Sequence, residues 1–270
     1  MGTSRGTKRY PTDLTDAQWG EIEGFLDPPR DLSRGGRPQQ YPRRRIADTV
    51  FYQLRTGVQW HLLPKDLPPW TAVWRQFCRW RDTGIWTLIM QHLLRVCRVE
   101  AGRKPEPSAA LLDAQSVPSG CLGPREHVGV DGGKRVRGRK RHLLCDLTGL
   151  PIAINVTSAQ PHDSRGGWTL LKTVKPQVNR PTKVFADSAY HGLAARAEQE
   201  LGLSIDIRKR PDGTHWFVPL QPLWRVERTF AWLGRNRRLL YDYEATVASS
   251  EAFVHAGAVA LMLGRLHPHR

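Results

Sequence analysis

Three acidic side chains are the groups of this sequence best suited to chemistry. Asp113 follows the apolar stretch 109–112, and Asp187 follows the apolar stretch 184–186. Both patterns indicate a buried strand that carries an acid at its carboxyl end, where α/β proteins usually keep their sites. Glu227 opens a helical pattern further along the chain. Because a carboxylate in such a place is costly unless it is paired or binds a metal, we predict that the three acids meet.

Carboxylates from separate elements suit metal-assisted reactions at a phosphodiester. Two divalent ions about 3.5–4 Å apart make the attacking oxygen nucleophilic and neutralise charge on the phosphoryl group. Mg²⁺ prefers a few carboxylates together with waters and substrate phosphate, and Mn²⁺ is the alternative ion. A simpler interpretation exists for each acid, since single aspartates often cap turns and the helix dipole favours a glutamate in a first turn. The combination predicts catalytic metal ligands at Asp113, Asp187 and Glu227.

The charge balance points to a polyanionic partner. Lys and Arg number 41 against 25 Asp and Glu, a formal net charge of +16. Nucleic acid is the commonest large anionic partner, although a basic run such as 132–141 is also typical of a solvated loop. Beside acidic strand ends we expect this run to follow DNA phosphates. The predicted DNA contacts are Arg75, Arg79, Lys134, Arg135, Arg137, Arg139, Lys140, Arg141, Arg225, Arg228, Arg235 and Arg238.

Other constellations give weaker signals. The four cysteines show no tight spacing pattern, as expected for reduced thiols in a cytosolic protein. Cys121 and Cys145 together with His127 and His142 offer a zinc alternative, but their spacing matches no zinc-finger pattern. The N-terminus lacks the apolar core of a signal peptide, and the longest apolar run, near 258–263, is too short to span a bilayer. We therefore expect no membrane association and a cytoplasmic location.

Four short helices are predicted in the N-terminal part of the chain. The first follows a capping box at Thr15–Gln18, the second covers 44–55, the third is capped by Thr71 and the fourth covers 86–99. Two of them are rich in Arg and Trp, which resembles a DNA-binding domain of the helix-turn-helix type. The alternative is a basic helical cap that makes no DNA contact. Residues 101–108 are the predicted linker to a second domain.

The pattern then changes to strands. We first predict a strand over 109–116, a long basic connection over 117–141 and a hairpin of 142–147 and 151–158. A helix from Asp163 or Ser164 to 175, a strand over 183–187, a helix over 193–201 and a strand over 203–208 follow. The last predicted elements are helices over 225–240 and 250–266. This order predicts an α/β fold with an RNase H-like mixed sheet flanked by helices, in which the first and fourth strands are adjacent. The predicted organisation is a helical DNA-end-binding domain over 1–100 and a catalytic domain over 109–270.

Four motifs carry a resemblance to a known family. They are Leu-Leu-Asp113-Ala-Gln-Ser, the Gly- and Arg-rich stretch from Val130, Ala-Asp187-Ser-Ala-Tyr-His-Gly, and Val-Glu227-Arg-Thr-Phe-Ala-Trp-Leu. Together they resemble the DDE transposases of bacterial insertion sequences, of the insertion-sequence-five type. The N-terminal Leu-Thr-Asp-Ala-Gln-Trp and Gly-Val-Gln-Trp-His-Leu-Leu-Pro resemble that group's helical region. The resemblance runs from about Tyr10 to the C-terminal helix.

The resemblance implies a function. It implies that Asp113, Asp187 and Glu227 bind Mg²⁺, that water cuts the inverted-repeat ends of the element, and that the freed 3′-OH attacks target DNA. Pairing two ends implies a homodimer or a larger assembly, acting near the bacterial nucleoid. Leu223 departs from the family pattern, which has an arginine four positions before the glutamate. Either Arg225 takes the place of that arginine, or the activity of this copy is impaired. The alternatives are an inactive or co-opted copy that only binds DNA, and another RNase H-like nuclease or resolvase.

Overall fold

Four helices precede the sheet. In a computed structural model, residues 10–27, 39–120, 127–174, 181–209 and 222–268 are described. The N-terminal helices are α1 (Asp16–Leu26), α2 (Arg43–Thr56), α3 (Trp70–Asp82) and α4 (Ile85–Glu100). The predicted capping box is confirmed, since Thr15 Oγ1 accepts from the Gln18 backbone and the Gln18 side chain accepts from the Thr15 backbone. The predicted cap at Thr71 is wrong, because α3 begins at Trp70 directly after Pro69, without a side-chain cap.

The second half of the chain contains a six-stranded mixed sheet. Its strands are β1 (Ala109–Pro118), β2 (Gly129–Asp131), β3 (Val136–Asp146), β4 (Pro151–Ser158), β5 (Lys183–Asp187) and β6 (Ser204–Arg208). β3 lies antiparallel between β1 and β4 and also pairs with β2, whereas β5 runs parallel to both β1 and β6. This confirms the predicted antiparallel unit followed by parallel strands, with the first strand adjacent to the one that ends at Asp187.

Two predicted segments have different boundaries in the structure. The long basic connection is shorter than predicted, because β1 continues to Pro118 and β3 begins at Val136. The single helix predicted over 225–240 is interrupted by a turn at 234–236. The remaining helices are α5 (Asp163–Val174), α6 (Ala194–Leu201), α7 (Trp224–Leu233), α8 (Arg237–Leu240) and α9 (Val247–Leu266). The predicted DNA contacts Arg228, Arg235 and Arg238 therefore do not lie on one continuous helix.

Helix α9 joins the two halves of the chain. By length and composition it could cross a membrane, yet 67% of its apolar window is buried inside the protein. It packs against α4 and β4, and its Phe253 ring stacks on Phe77 of α3 with centroids 4.5 Å apart. One hydrophobic cluster consequently includes side chains of the N-terminal helices, the sheet and α9. The division at 101–108 stays a prediction.

Candidate active site

Asp113 and Asp187 lie side by side at one level of the sheet. The parallel pairing of β1 with β5 ends at Leu111 opposite Phe185, and each aspartate follows two residues later on its own strand. Neighbouring strands are about 4.8 Å apart, and extending the register by two residues puts both carboxylates on the same face of the sheet. Asp113 is within β1 rather than at its end, because β1 continues beyond the point where β5 turns away.

Each aspartate uses one carboxylate oxygen locally. Asp113 Oδ1 accepts from the Ala114 backbone N–H at 2.7 Å. Asp187 Oδ1 accepts from the Ala189 backbone at 3.0 Å, where it caps the 3₁₀ turn Ser188–Leu193 that follows β5. The second oxygen of each has no hydrogen-bond partner among the described residues, which leaves it available to an external ligand.

Glu227 reaches the site from the first turn of α7 and is exposed. Helix α7 buries Val226, Phe230 and Leu233 and packs on β1 and β3. Ala231, which follows Phe230 in the chain, is exposed. The buried face of α7 is therefore next to Glu227 but does not include it. The Glu227 carboxylate consequently lies at the edge of the contact between α7 and the sheet.

The electrostatics of Asp113 link the three acids. Burial, together with the charges of Asp187 and Glu227, raises the pKa of Asp113 to about 7, against the opposing effects of the Ala114 backbone hydrogen bond and of Lys134. Negative charges collected in a desolvated place favour a cation. Hard carboxylate oxygens suit Mg²⁺ or Mn²⁺. In the described part of the chain no three His, Cys, Asp or Glu side chains surround a single point. The pair Asp113 and Asp187 still suits Mg²⁺, which keeps several waters and needs only one or two carboxylates.

Lys134 is held beside Asp113 by a turn at Asp131. Asp131 Oδ1 accepts from the backbones of Gly133 (3.0 Å) and Lys134 (3.1 Å), and Lys134 Nζ donates to the Ala114 carbonyl at 3.2 Å. Burial opposes ionisation of Asp131, but hydrogen bonds, with Ser116 the strongest donor, lower its pKa to about 2. The role of Asp131 in presenting Lys134 depends on contacts between separate strands that local spacing does not show.

The predicted DNA-contact residues fall into three groups. Six are exposed, namely Arg75, Arg79, Lys134, Arg135, Arg137 and Arg235. Two, Arg225 and Arg228, are half-buried. Arg225 Nη1 donates to Leu147 O at 2.6 Å, and Arg228 Nη2 donates to Thr148 O at 3.3 Å. Four are buried, namely Arg139, Lys140, Arg141 and Arg238.

The four buried cations have partners within the chain. Their partners include Asp242 Oδ1 for Arg139 (2.8 Å), Pro161 O and Asp163 Oδ1 for Lys140 (2.8 and 2.9 Å), Leu239 O for Arg141 (2.7 Å) and Glu244 Oε1 for Arg238 (2.7 Å from Nε). The expectation of a solvated loop is wrong from residue 136 onward, because β1 and β4 flank that strand on both sides; within it Arg137 is exposed, whereas residues 138–146 are buried. These four residues serve the fold.

Two other expectations concern single positions. Leu223, which stands where the family pattern has an arginine, is 6% exposed and precedes α7 as an apolar N-cap. For the zinc alternative, Cys121 lies outside the described residues, whereas His142 and Cys145 are buried in β3. His142 Nε2 is hydrogen-bonded to Thr157 Oγ1 at 3.0 Å. Cys78, Cys97 and Cys145 are free thiols, as expected.

Comparison with known proteins agrees with this geometry. The family model described as "Transposase DDE domain" matches residues 104–263, and the model described as "Putative transposase of IS4/5 family" matches residues 14–90. A curated relative from Burkholderia cepacia, named "Putative transposase for insertion sequence element IS402", is 31% identical over 44% of this chain and 60% of its own length. Protein y4sN of Sinorhizobium fredii is 31% identical over 32% of this chain and 67% of its own length.

The first model alone covers more than half of the chain and includes all three acids. The DDE domain is RNase H-like, as the strand order predicts, and domains of this kind generally use a divalent metal and act on DNA. The chain therefore belongs to the family of transposases with a DDE domain.

Proposed function

We propose that this chain binds the inverted-repeat ends of its insertion sequence, cuts them by Mg²⁺-dependent hydrolysis and joins the freed 3′-OH to target DNA. The observation that carries the proposal is the placement of Asp113 beside Asp187 on adjacent parallel strands. Glu227 is close enough to raise the pKa of Asp113. Three carboxylates so arranged suit metal-assisted phosphoryl transfer better than nucleophilic or general-base chemistry by a single residue.

The residues divide the work between metal and DNA. Asp113 and Asp187 would hold Mg²⁺, or Mn²⁺, through their unused oxygens, and Glu227 would complete the site from α7. When bound there, the divalent ions supply a nucleophilic oxygen and neutralise the phosphoryl charge. Lys134 lies beside Asp113 and is exposed, so its ammonium can bind the phosphate next to the cleaved bond. The exposed arginines, Arg75 and Arg79 of α3 among them, would bind the DNA backbone.

The partners follow from the reaction. The substrate is double-stranded DNA, both as element ends and as target. Cutting two ends of one element calls for at least two active sites, so we propose a homodimer or a larger assembly on the paired ends. Such a protein would act in the bacterial cytoplasm at the nucleoid.

Cleavage of a labelled end tests the proposal. A duplex that carries the element's own end is incubated with the chain, a plasmid target and either Mg²⁺, Mn²⁺ or EDTA. We expect end cleavage and joined product with either metal and neither with EDTA, and we expect Asp187→Asn to abolish both. Asp206→Asn is the matched control, because Asp206 lies on the neighbouring strand β6 and pairs with Lys183 and Arg208.

Other outcomes would separate the alternatives. End binding without cleavage by the wild-type chain would show an inactive or co-opted copy, and the apolar Leu223 would be the first position to change to arginine. Cleavage of a four-way junction in preference to the element end would show a resolvase. Cleavage that survives Asp187→Asn would refute the metal site.

A further inference from the structure

Helix α7 is anchored on the turn between β3 and β4. Three of its side chains donate hydrogen bonds to three consecutive carbonyl oxygens of that turn. The bonds join Arg225 Nη1 to Leu147 O (2.6 Å), Arg228 Nη2 to Thr148 O (3.3 Å) and Thr229 Oγ1 to Gly149 O (2.8 Å). The Thr229 hydroxyl is also 3.0 Å from Arg225 O, and Gly149 O is the nearer of its two acceptors. We call this set the helix–turn clamp. It occupies one side of α7, since positions i, i+3 and i+4 share a helical face.

The turn that receives α7 is itself held in place. Asp146 is fully buried, and its Oδ1 accepts from the Thr148 backbone (2.8 Å), the Thr148 hydroxyl (2.6 Å) and the Leu150 backbone (2.9 Å). Its other oxygen is paired with Arg98 of α4. A buried charge that loses such partners is strongly penalised, so the turn offers α7 a rigid row of carbonyls.

Helix and turn also approach each other closely. Gly149 has φ +86°, and a Cβ at this position would lie 2.8 Å from Thr229 Oγ1 and 3.2 Å from the Trp232 ring. Only a residue without a side chain accepts both the left-handed conformation and this contact. Since α7 begins without a side-chain N-cap, the clamp gives its first turn a polar anchor.

The clamp determines where Glu227 points. Glu227 is two residues after Arg225 and two before Thr229, which places it on the side of α7 away from the turn. A slip of one residue would move the helix about 1.5 Å along its axis and turn it about 100°. A misplacement of about 1 Å can cost a reaction about 10²-fold. The position of the carboxylate is therefore set by residues that do not touch the reacting atoms.

We infer that Arg225, Arg228 and Thr229 are positioning residues that hold Glu227 towards Asp113 and Asp187. The inference rests on the proposed function of these acids. It assigns the two arginines to the helix–turn clamp rather than to DNA. Arg225 is thereby engaged with Leu147 and is not a substitute for the arginine missing at Leu223.

Paired substitutions at Thr229 test the inference. Thr229→Val keeps the branched shape but removes the hydroxyl, whereas Thr229→Ser keeps the hydroxyl. Thr49→Val is the matched control, because Thr49 is also fully buried and its hydroxyl donates to Arg45 O at 2.7 Å within its own helix. Arg225→Met removes a second member of the clamp. The readouts are Mn²⁺ affinity of the full chain by titration calorimetry, single-turnover end cleavage, end-DNA affinity and Tm.

The expected result is specific to the clamp. Thr229→Val and Arg225→Met should weaken Mn²⁺ binding and slow cleavage by about tenfold or more, within the range that small misplacements produce, while end-DNA affinity stays unchanged. Thr229→Ser should retain both properties. Thr49→Val should lower Tm as much as Thr229→Val without changing Mn²⁺ affinity or cleavage.

Several results would overturn the inference. Wild-type Mn²⁺ affinity and cleavage in both Thr229→Val and Arg225→Met would do so, as would an equal loss in Thr229→Ser. A loss of end-DNA affinity in Arg225→Met with normal Mn²⁺ binding would show that Arg225 contacts DNA and does not position Glu227. If the wild-type chain binds Mn²⁺ without cutting ends, the proposed function fails and the clamp is judged on Mn²⁺ affinity alone. A wild-type chain that neither binds Mn²⁺ nor cuts ends would refute both the proposed function and the inference about the clamp.

Discussion

The buried Arg139 offers the clearest test of how the basic run is used. Its side chain is fully buried in β3, with Nη1 2.8 Å from Asp242 Oδ1 and Nε 2.9 Å from the His127 carbonyl. Arg139→Met would leave the Asp242 carboxylate buried without its cation. Removing one partner of a buried pair typically costs about 3–5 kcal/mol. We expect the lower end of that range, because Asp242 keeps its hydrogen bonds from Ser250 and from the Glu244 backbone.

Urea denaturation followed by tryptophan fluorescence and by circular dichroism measures this change. The midpoint should fall while the slope with denaturant stays constant, which indicates altered stability of one folded state. Arg137→Met is the matched control, since Arg137 is exposed two residues earlier on the same strand. Exposed substitutions usually change the free energy of unfolding by no more than about 0.5 kcal/mol.

A double-mutant cycle with Asp242→Asn gives the coupling energy between the two side chains directly. Coupling below about 0.5 kcal/mol, the usual limit of additivity for independent sites, would refute the assignment of Arg139 to the fold. So would an Arg139→Met variant that keeps its stability and loses end-DNA affinity to the same extent as Arg137→Met. That second result would restore Arg139 as a phosphate contact.

Three further predictions concern pH, packing and DNA. Burial lowers the pKa values of His142 and His255 to about 4 from 6.5, so both contribute stability above pH 6.5 that is lost as the pH falls towards 4. His255→Gln should therefore reduce the fall in Tm between pH 6.5 and pH 4. An unchanged pH profile of Tm would contradict this prediction. A Cβ at Gly166 would overlap the His142 ring, so Gly166→Ala should cost about 1–3 kcal/mol in thermal melts. Gly192→Ala, which meets nothing within 4 Å, should be neutral, and equal costs would contradict the packing. Arg79→Gln should weaken end binding and reduce the salt slope by about 1 without changing Tm; an unchanged slope would exclude Arg79 from the DNA surface.

Local sequence patterns were sufficient for most of the architecture. The capping box at Thr15–Gln18, the hairpin turn at Thr148-Gly149 and the apolar strands before Asp113 and Asp187 each depend on a few neighbouring residues. Such signals fix the order of elements, and the rules of strand connection then predict that the two aspartates lie on adjacent strands, as the structure shows. The catalytic role of the three acids stays a prediction.

The tertiary structure decided what the sequence could not. Basic residues from Val136 to Arg141 look like a solvated loop because composition is a local property, whereas their burial depends on distant partners such as Asp242. The break after α7 likewise depends on where α8 and α9 pack, and it alone separates Arg228 from Arg238. The sequence by itself determined the elements and the acids they carry. Only the packed chain decided which cations face solvent, because a charge is buried wherever a remote acceptor compensates its desolvation.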